Sequence, residues 1–144
     1  MKEIVGVVQT VITAIGAFVG WFLGGMDGFL YALVIMVTLD YLSGIMVAFA
    51  QRGLSSEIGA RGIFKKILIF SFVAMGHIID TRIFHSGSAI RTAVIFYYVS
   101  NEGISVLENA TLLGLKVPKK LREVLAQINS EKESEKDKNM KGKG

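Results

Sequence analysis

Tyr97–Arg122 reads YYVSNEGISVLENATLLGLKVPKKLR. The stretch continues an apolar run that begins near Ala89, yet it carries Asn101, Glu102, Glu108 and Asn109. A charged group at the centre of a bilayer costs about 2.5–3.5 kcal/mol on insertion scales, so two carboxylates in a membrane-helix candidate need a reason. At about 100° per residue, Asn101, Glu102, Ser105, Glu108 and Asn109 fall within an arc of about 120°. Phe96, Val99, Gly103, Val106, Leu107 and Ala110 occupy the other side. The pattern predicts an amphipathic helix apolar enough to insert, with a polar stripe that faces other helices or water. The stretch then breaks at Gly114 and Pro118 and turns basic.

Upstream lie three more apolar blocks. Ile4–Met26 has no charge, and only Gln9, Thr10 and Thr13 are polar. About 20 apolar residues cross a bilayer core of roughly 30 Å. A signal peptide would have a shorter apolar core behind a basic leader, and here only Lys2 precedes the block. Gly16, Gly20 and Gly24 recur every four residues, a spacing that lets helices approach closely, within one subunit or between subunits. Met26-Asp27-Gly28 is a short turn, so Phe29–Ala50 returns antiparallel. Its one charge is Asp40, with Ser43, Gly44 and Ala48 on the same side. An acid within a membrane helix marks a functional site by default; the plainer reading pairs it with a base and makes it bundle glue.

Gln51–Gly62 reads as the one substantial internal loop, rich in Gly and Ser. Lys65 and Lys66 follow at the start of a short third span, Ile63–Ile79, where lysines reach for the interface. His77 and Asp80 end that span, Asp80–Ser88 is a polar turn, and Arg91 opens the fourth block. Arg91 either pairs with Asp80 or extends outward. After Pro118, Leu121, Val124, Leu125 and Ile128 recur at helical spacing, with Lys119, Lys120 and Arg122 on the opposite side. That predicts a short basic helix over 116–128 on the membrane surface. Residues 129–144 are nearly all charged or polar and are expected to be disordered.

The totals agree. Of 144 residues 51% are hydrophobic, and the mean hydropathy is +0.50. The net charge of +4 raises nucleic acid as a partner. The basic residues flank apolar blocks, however, and the aromatics sit inside them, so nucleic acid is not expected. There is no cysteine, and the two histidines are far apart, so no metal or cofactor is expected. No nucleotide-binding, metalloprotease or serine-hydrolase motif is present, and an enzyme is not expected. Topology follows the Lys/Arg bias: Arg52, Arg61, Lys65 and Lys66 cluster in one connection, and nine basic residues follow from Lys116 on. Four spans, about 4–26, 29–50, 63–79 and 89–113, put both clusters and both termini in the cytoplasm. The expected fold is an all-α integral membrane protein of two hairpins.

The residues also carry a resemblance. Asp40–Gly44 (DYLSG), Ser55-Ser56, Gly62–Lys66 (GIFKK), Asp80, Asn101–Asn109 (NEGISVLEN) and Gly114–Leu121 (GLKVPKKL) resemble the toxin-secretion/phage-lysis holin family over roughly Phe29 to Val124. The ordered match from Asn101 onward is its most specific part. The resemblance implies a phage or prophage protein of the bacterial cytoplasmic membrane. Such a protein oligomerises, opens the membrane at a set time and lets an endolysin, or a toxin, out. On that reading Asp40, Asn101, Glu102, Ser105, Glu108 and Asn109 line a lumen or subunit contacts. Gly16, Gly20, Gly24 and Gly44 pack helices, and Lys65, Lys66, Lys119, Lys120 and Arg122 lie at the membrane surface, with lipid as partner. A small selective channel or transporter, and a non-lytic antiholin, are the competing readings.

Overall fold

The computed structural model describes residues 1–51, 53 and 55–127. All secondary structure among them is helical: α1 (Lys2–Phe22), α2 (Gly28–Ala50), α3 (Ser56–Ile78), a π-helical turn (Ile79–Ile83) and α4 (Ala89–Leu112). A further helix, α5, covers 119–127. The expected tail at 129–144 lies outside the described residues.

Local chemistry sets the boundaries. Asp27 caps α2, its carboxylate accepting from Leu30 N–H at 2.9 Å. Ser55 caps α3, accepting from Ile58 N–H at 3.3 Å, with Glu57 in the first turn. The Gly- and Ser-rich segment expected to be a loop as far as Gly62 is therefore helical from Ser56. Its cap and an i,i+4 pair, Arg61–Glu57 at 3.5 Å, outweigh the loop-like composition. At the end of α4, Gly114 takes φ +88°; its N–H donates to Thr111 C=O, and Leu115 N–H donates to Ala110 C=O at 3.0 Å. This is the paired bonding of a Schellman motif.

Three helices are long and apolar enough to cross a membrane: Lys2–Phe22, Gly28–Ala50 and the continuous Ser56–Ile83. Four crossings were expected from the apolar blocks. α4 is as long, at 24 residues, but Arg91, Asn101, Glu102, Glu108 and Asn109 dilute its apolar character. The third candidate is longer than the expected 17-residue span because α3 begins early and the π turn extends it.

The body of the molecule is α2, α3 and α4. α4 packs on both of the others, most extensively on α2. Leu23, Leu30, Leu33, Val37, Ile69, Val73, Ala74 and Ile95 form the core. At Gly76, α3 comes so close to α4 that an added Cβ would sit 3.0 Å from the Arg91 Cα. α1 stands apart: it makes no extensive contact with another helix, and of its residues only Gly20 is buried. Its exposed Ile, Val, Phe and Trp side chains match a lipid environment.

Candidate functional site

Two polar sites sit in the body, one at the α1–α2 joint and one near the middle of the helices. The first is at the α1–α2 joint. Arg91, its side chain 3% exposed, donates from Nε to Leu23 C=O at 2.6 Å, from Nη2 to Gly25 C=O at 2.8 Å and from Nη1 to Asp27 Oδ2 at 2.7 Å. The guanidinium thus satisfies carbonyls that the end of α1 leaves open. It also holds the Asp27 carboxyl below its ordinary value of 3.8, against the burial that pushes the other way. Asp80, 2% exposed, accepts from Ile90 N–H at 3.1 Å and Arg91 N–H at 2.8 Å, so it caps α4 from the preceding turn. Sequence reasoning left Arg91 either paired with Asp80 or extended outward. Its backbone meets Asp80, while its side chain turns inward to Asp27.

The second site is the hub where α2, α3 and α4 meet. Lys66 of α3 forms ion pairs with Asp40 of α2 and Glu102 of α4. The three side chains are 17%, 13% and 6% exposed. Asn109 Nδ2 donates to Ser43 Oγ at 2.9 Å and to Asp40 Oδ1 at 3.3 Å. Ser105 lies within reach of Asp40, and the Asp40 and Glu102 carboxylates share the one Lys66 ammonium. Counting along the helices, Asp40 is about 18 Å from the start of α2 and Glu102 about 20 Å from the start of α4, at 1.5 Å per residue. The pair is level, close to the midpoints of α2 and α4. A cleft of about 280 Å³ borders the hub, its lining including Asp40, Lys66, Ser105, Asn109, Gly44, Gly59 and Gly62.

The polar stripe of α4 therefore divides. Glu102, Ser105 and Asn109 turn toward the hub, whereas Asn101 and Glu108 are exposed. Lys65 and Lys66, expected together at the surface, part company. Lys65 is exposed; Lys66 faces inward because two carboxylates on neighbouring helices outbid the solvent. The available signal was arithmetic: three intramembrane acids in the sequence and a lysine inside the third apolar block. Lys119, Lys120 and Arg122 are exposed on α5. α5 turns back onto α4, where Leu125, 8% exposed, sits so close to Gly103 that an added Cβ would lie 3.1 Å from its methyls. Of the expected packing glycines, a Cβ added at Gly44 would lie 3.8 Å from Asn109 Nδ2, and one added at Gly16 or Gly20 would meet nothing within 4 Å. Gly24 is not in a helix stripe: it ends α1 at φ +90°, against Arg91 and His77. Among the described residues no cluster of His, Cys, Asp and Glu could hold a metal ion.

Comparison with known proteins places this arrangement. An uncharacterized 14.9 kDa protein of Clostridium perfringens is 35% identical over 92% of this chain and its own full length. An uncharacterized protein of Listeria monocytogenes is 39% identical over 90% of this chain and 94% of its own. A more distant relative from Bacillus phage phi105, 27% identical over 85% of this chain and 90% of its own, is named a probable holin. No solved structure matches. The model of the bacteriophage holin family matches residues 17–130, a segment that takes in Asp40, Lys66 and Glu102 as well as the Leu125 contact, and on that match the protein belongs to the bacteriophage holin family.

Proposed function

We propose that this protein is a holin: it gathers in the bacterial cytoplasmic membrane, opens it, and lets an endolysin or a toxin out. The family match over residues 17–130 carries the reading, and the probable holin of phage phi105 supports it. α4 is the fourth crossing, shielded by α2 and α3, with both termini on the cytoplasmic side where Lys/Arg accumulate. The subunit is not an enzyme, and lipid and further copies of the chain are its partners.

The roles of the polar residues follow their exposure. Asp40, Lys66, Glu102, Ser105 and Asn109 hold one subunit together. Asn101 and Glu108, exposed on α4, are the groups left for a lumen or a neighbouring subunit. α1, largely apolar and exposed, faces lipid and neighbouring subunits, and the cations of α5 face anionic headgroups. The test is induced expression of this chain alone in a bacterium, reading release of a protein-sized cytoplasmic marker and access of a co-expressed wall hydrolase to the wall. Release and lysis are expected. Cells that keep the marker while the protein accumulates in the membrane would overturn the lytic role. The antiholin reading would then take its place, since a hub already closed within one subunit leaves few groups that demand siblings.

A further inference from the structure

The hub does not balance as drawn with every group ionised. Asp40 and Glu102 contribute two negative charges and Lys66 one positive. Every other charged or titratable group nearby leaves the sum unchanged. On α2, Tyr41 directs its hydroxyl to Gly59 C=O at 3.5 Å. On α3, Lys65 is exposed. On α4, Tyr98 lies near Glu102, and Glu108 is exposed. α5 reaches α4 through Leu125, and its Lys119, Lys120, Arg122 and Glu123 are exposed. α1 makes no extensive contact with the body. One negative charge in a low-dielectric interior is left over.

Two carboxylates held against one ammonium in a low-dielectric interior do not both stay ionised. The surroundings choose which. Asp40 accepts from Lys66 and Asn109, with Ser105 also in reach, and hydrogen bonds to the charged form favour it. Among the bonds described, Glu102 accepts only from Lys66, and it is the more deeply buried of the two. We infer that the Asp40–Lys66–Glu102 hub is a proton-binding site, in which Glu102 carries the proton, Asp40 and Lys66 are ionised, and the cleft beside them is the route to water.

Uptake takes one proton from cleft water and forms one O–H bond on a Glu102 oxygen; release returns that proton and leaves the hub with a net negative charge. The cleft of about 280 Å³ has room for several waters, and Asp40, Lys66, Ser105 and Asn109 are among its lining residues. Release would set two carboxylates against each other at a junction shared by α2, α3 and α4. The inference rests on the membrane placement of these helices and not on lesion formation, so a non-lytic chain would leave it standing.

Infrared spectroscopy of the full chain in lipid vesicles tests it. At neutral pH the wild-type protein is expected to show a protonated-carboxyl C=O band that shifts in heavy water. The band should move on 13C labelling of glutamate side chains and stay put on labelling of aspartate. It should survive Glu108→Gln and vanish in Glu102→Gln. Asp40→Asn should also abolish it, because removing one negative charge lets Glu102 ionise against Lys66; a carboxyl kept neutral by burial alone would retain the band. The wild-type labelling needs no variant to fold. Absence of the band in the wild type, its movement with aspartate labelling, or its persistence in Asp40→Asn would overturn the assignment.

Discussion

Replacing Lys66 by Met keeps the length of the side chain and removes the ammonium that joins three helices. Asp40 and Glu102, 13% and 6% exposed, then confront each other without a cation. Breaking a buried ion pair by deleting one partner costs about 3–5 kcal/mol, chiefly because the other charge is stranded. Here the cleft admits water and one of the carboxyls can hold a proton, so the expected loss is nearer about 2–4 kcal/mol. The assay is unfolding in mixed micelles, followed by circular dichroism as the denaturing detergent fraction rises. The triple variant Lys66→Met/Asp40→Asn/Glu102→Gln supplies the control. With no charge left to strand, it should regain at least half of the loss, since neutral replacements of buried pairs are often tolerated. A single variant within about 0.5 kcal/mol of wild type, the range of ordinary surface changes, would refute the hub as the joint of the bundle. A triple variant weaker than the single one would refute the electrostatic origin of the loss.

The other site and the glycines give further expectations. Gly24→Ala places a Cβ 2.7 Å from Arg91 Nε and from His77 Nδ1 at φ +90°, and should cost about 1–3 kcal/mol in the same unfolding assay. Gly16→Ala, in a helix with nothing within 4 Å, should leave the subunit as stable or slightly more so. Because Arg91 lowers the Asp27 carboxyl below 3.8, its contribution is complete at pH values above 3.8 and fades only as pH falls through the lower folded value. Asp27→Asn should therefore weaken the protein at neutral pH and flatten its stability profile in acid, read by unfolding at a series of pH values. Gly103→Val should expel Leu125 and free α5, seen as faster tryptic cleavage at Lys119, Lys120 and Arg122. Glu108→Gln should shift the time of lysis with no loss of subunit stability, whereas Glu102→Leu should lower both.

Much of this was legible in the residues because membrane helices announce themselves by length and apolar density. Asp27 and Gly28 marked the first turn, and Asn101, Glu102, Ser105, Glu108 and Asn109 read as one polar stripe on α4, of which Glu102, Ser105 and Asn109 turn toward the hub and Asn101 and Glu108 are exposed. The hub escaped because a lysine near the apparent start of a span is indistinguishable by position from one that reaches to the interface. Only the proximity of Asp40 and Glu102, 26 and 36 residues away, sends Lys66 inward. The Ser55 cap was hidden by Gly53, Gly59 and Gly62 around it, residues that read as a loop yet serve the approach of Tyr41, which stands 3.2 Å from a Cβ built at Gly62. The return of α5 onto Gly103 is a long-range fit between one small and one large residue, which no periodicity encodes.

The joint held by Arg91 has a mechanical corollary. α1, at 21 residues, is a rod of about 31 Å that meets the body only at one end. Such a rod magnifies small displacements at its pivot: a tilt of about 10° there sweeps the far tip through about 5 Å, by the same rise per residue. One guanidinium gripping Leu23, Gly25 and Asp27 therefore aims the whole arm, and a change of rotamer too small to disturb the core would redirect where the amino terminus travels in the plane of the membrane.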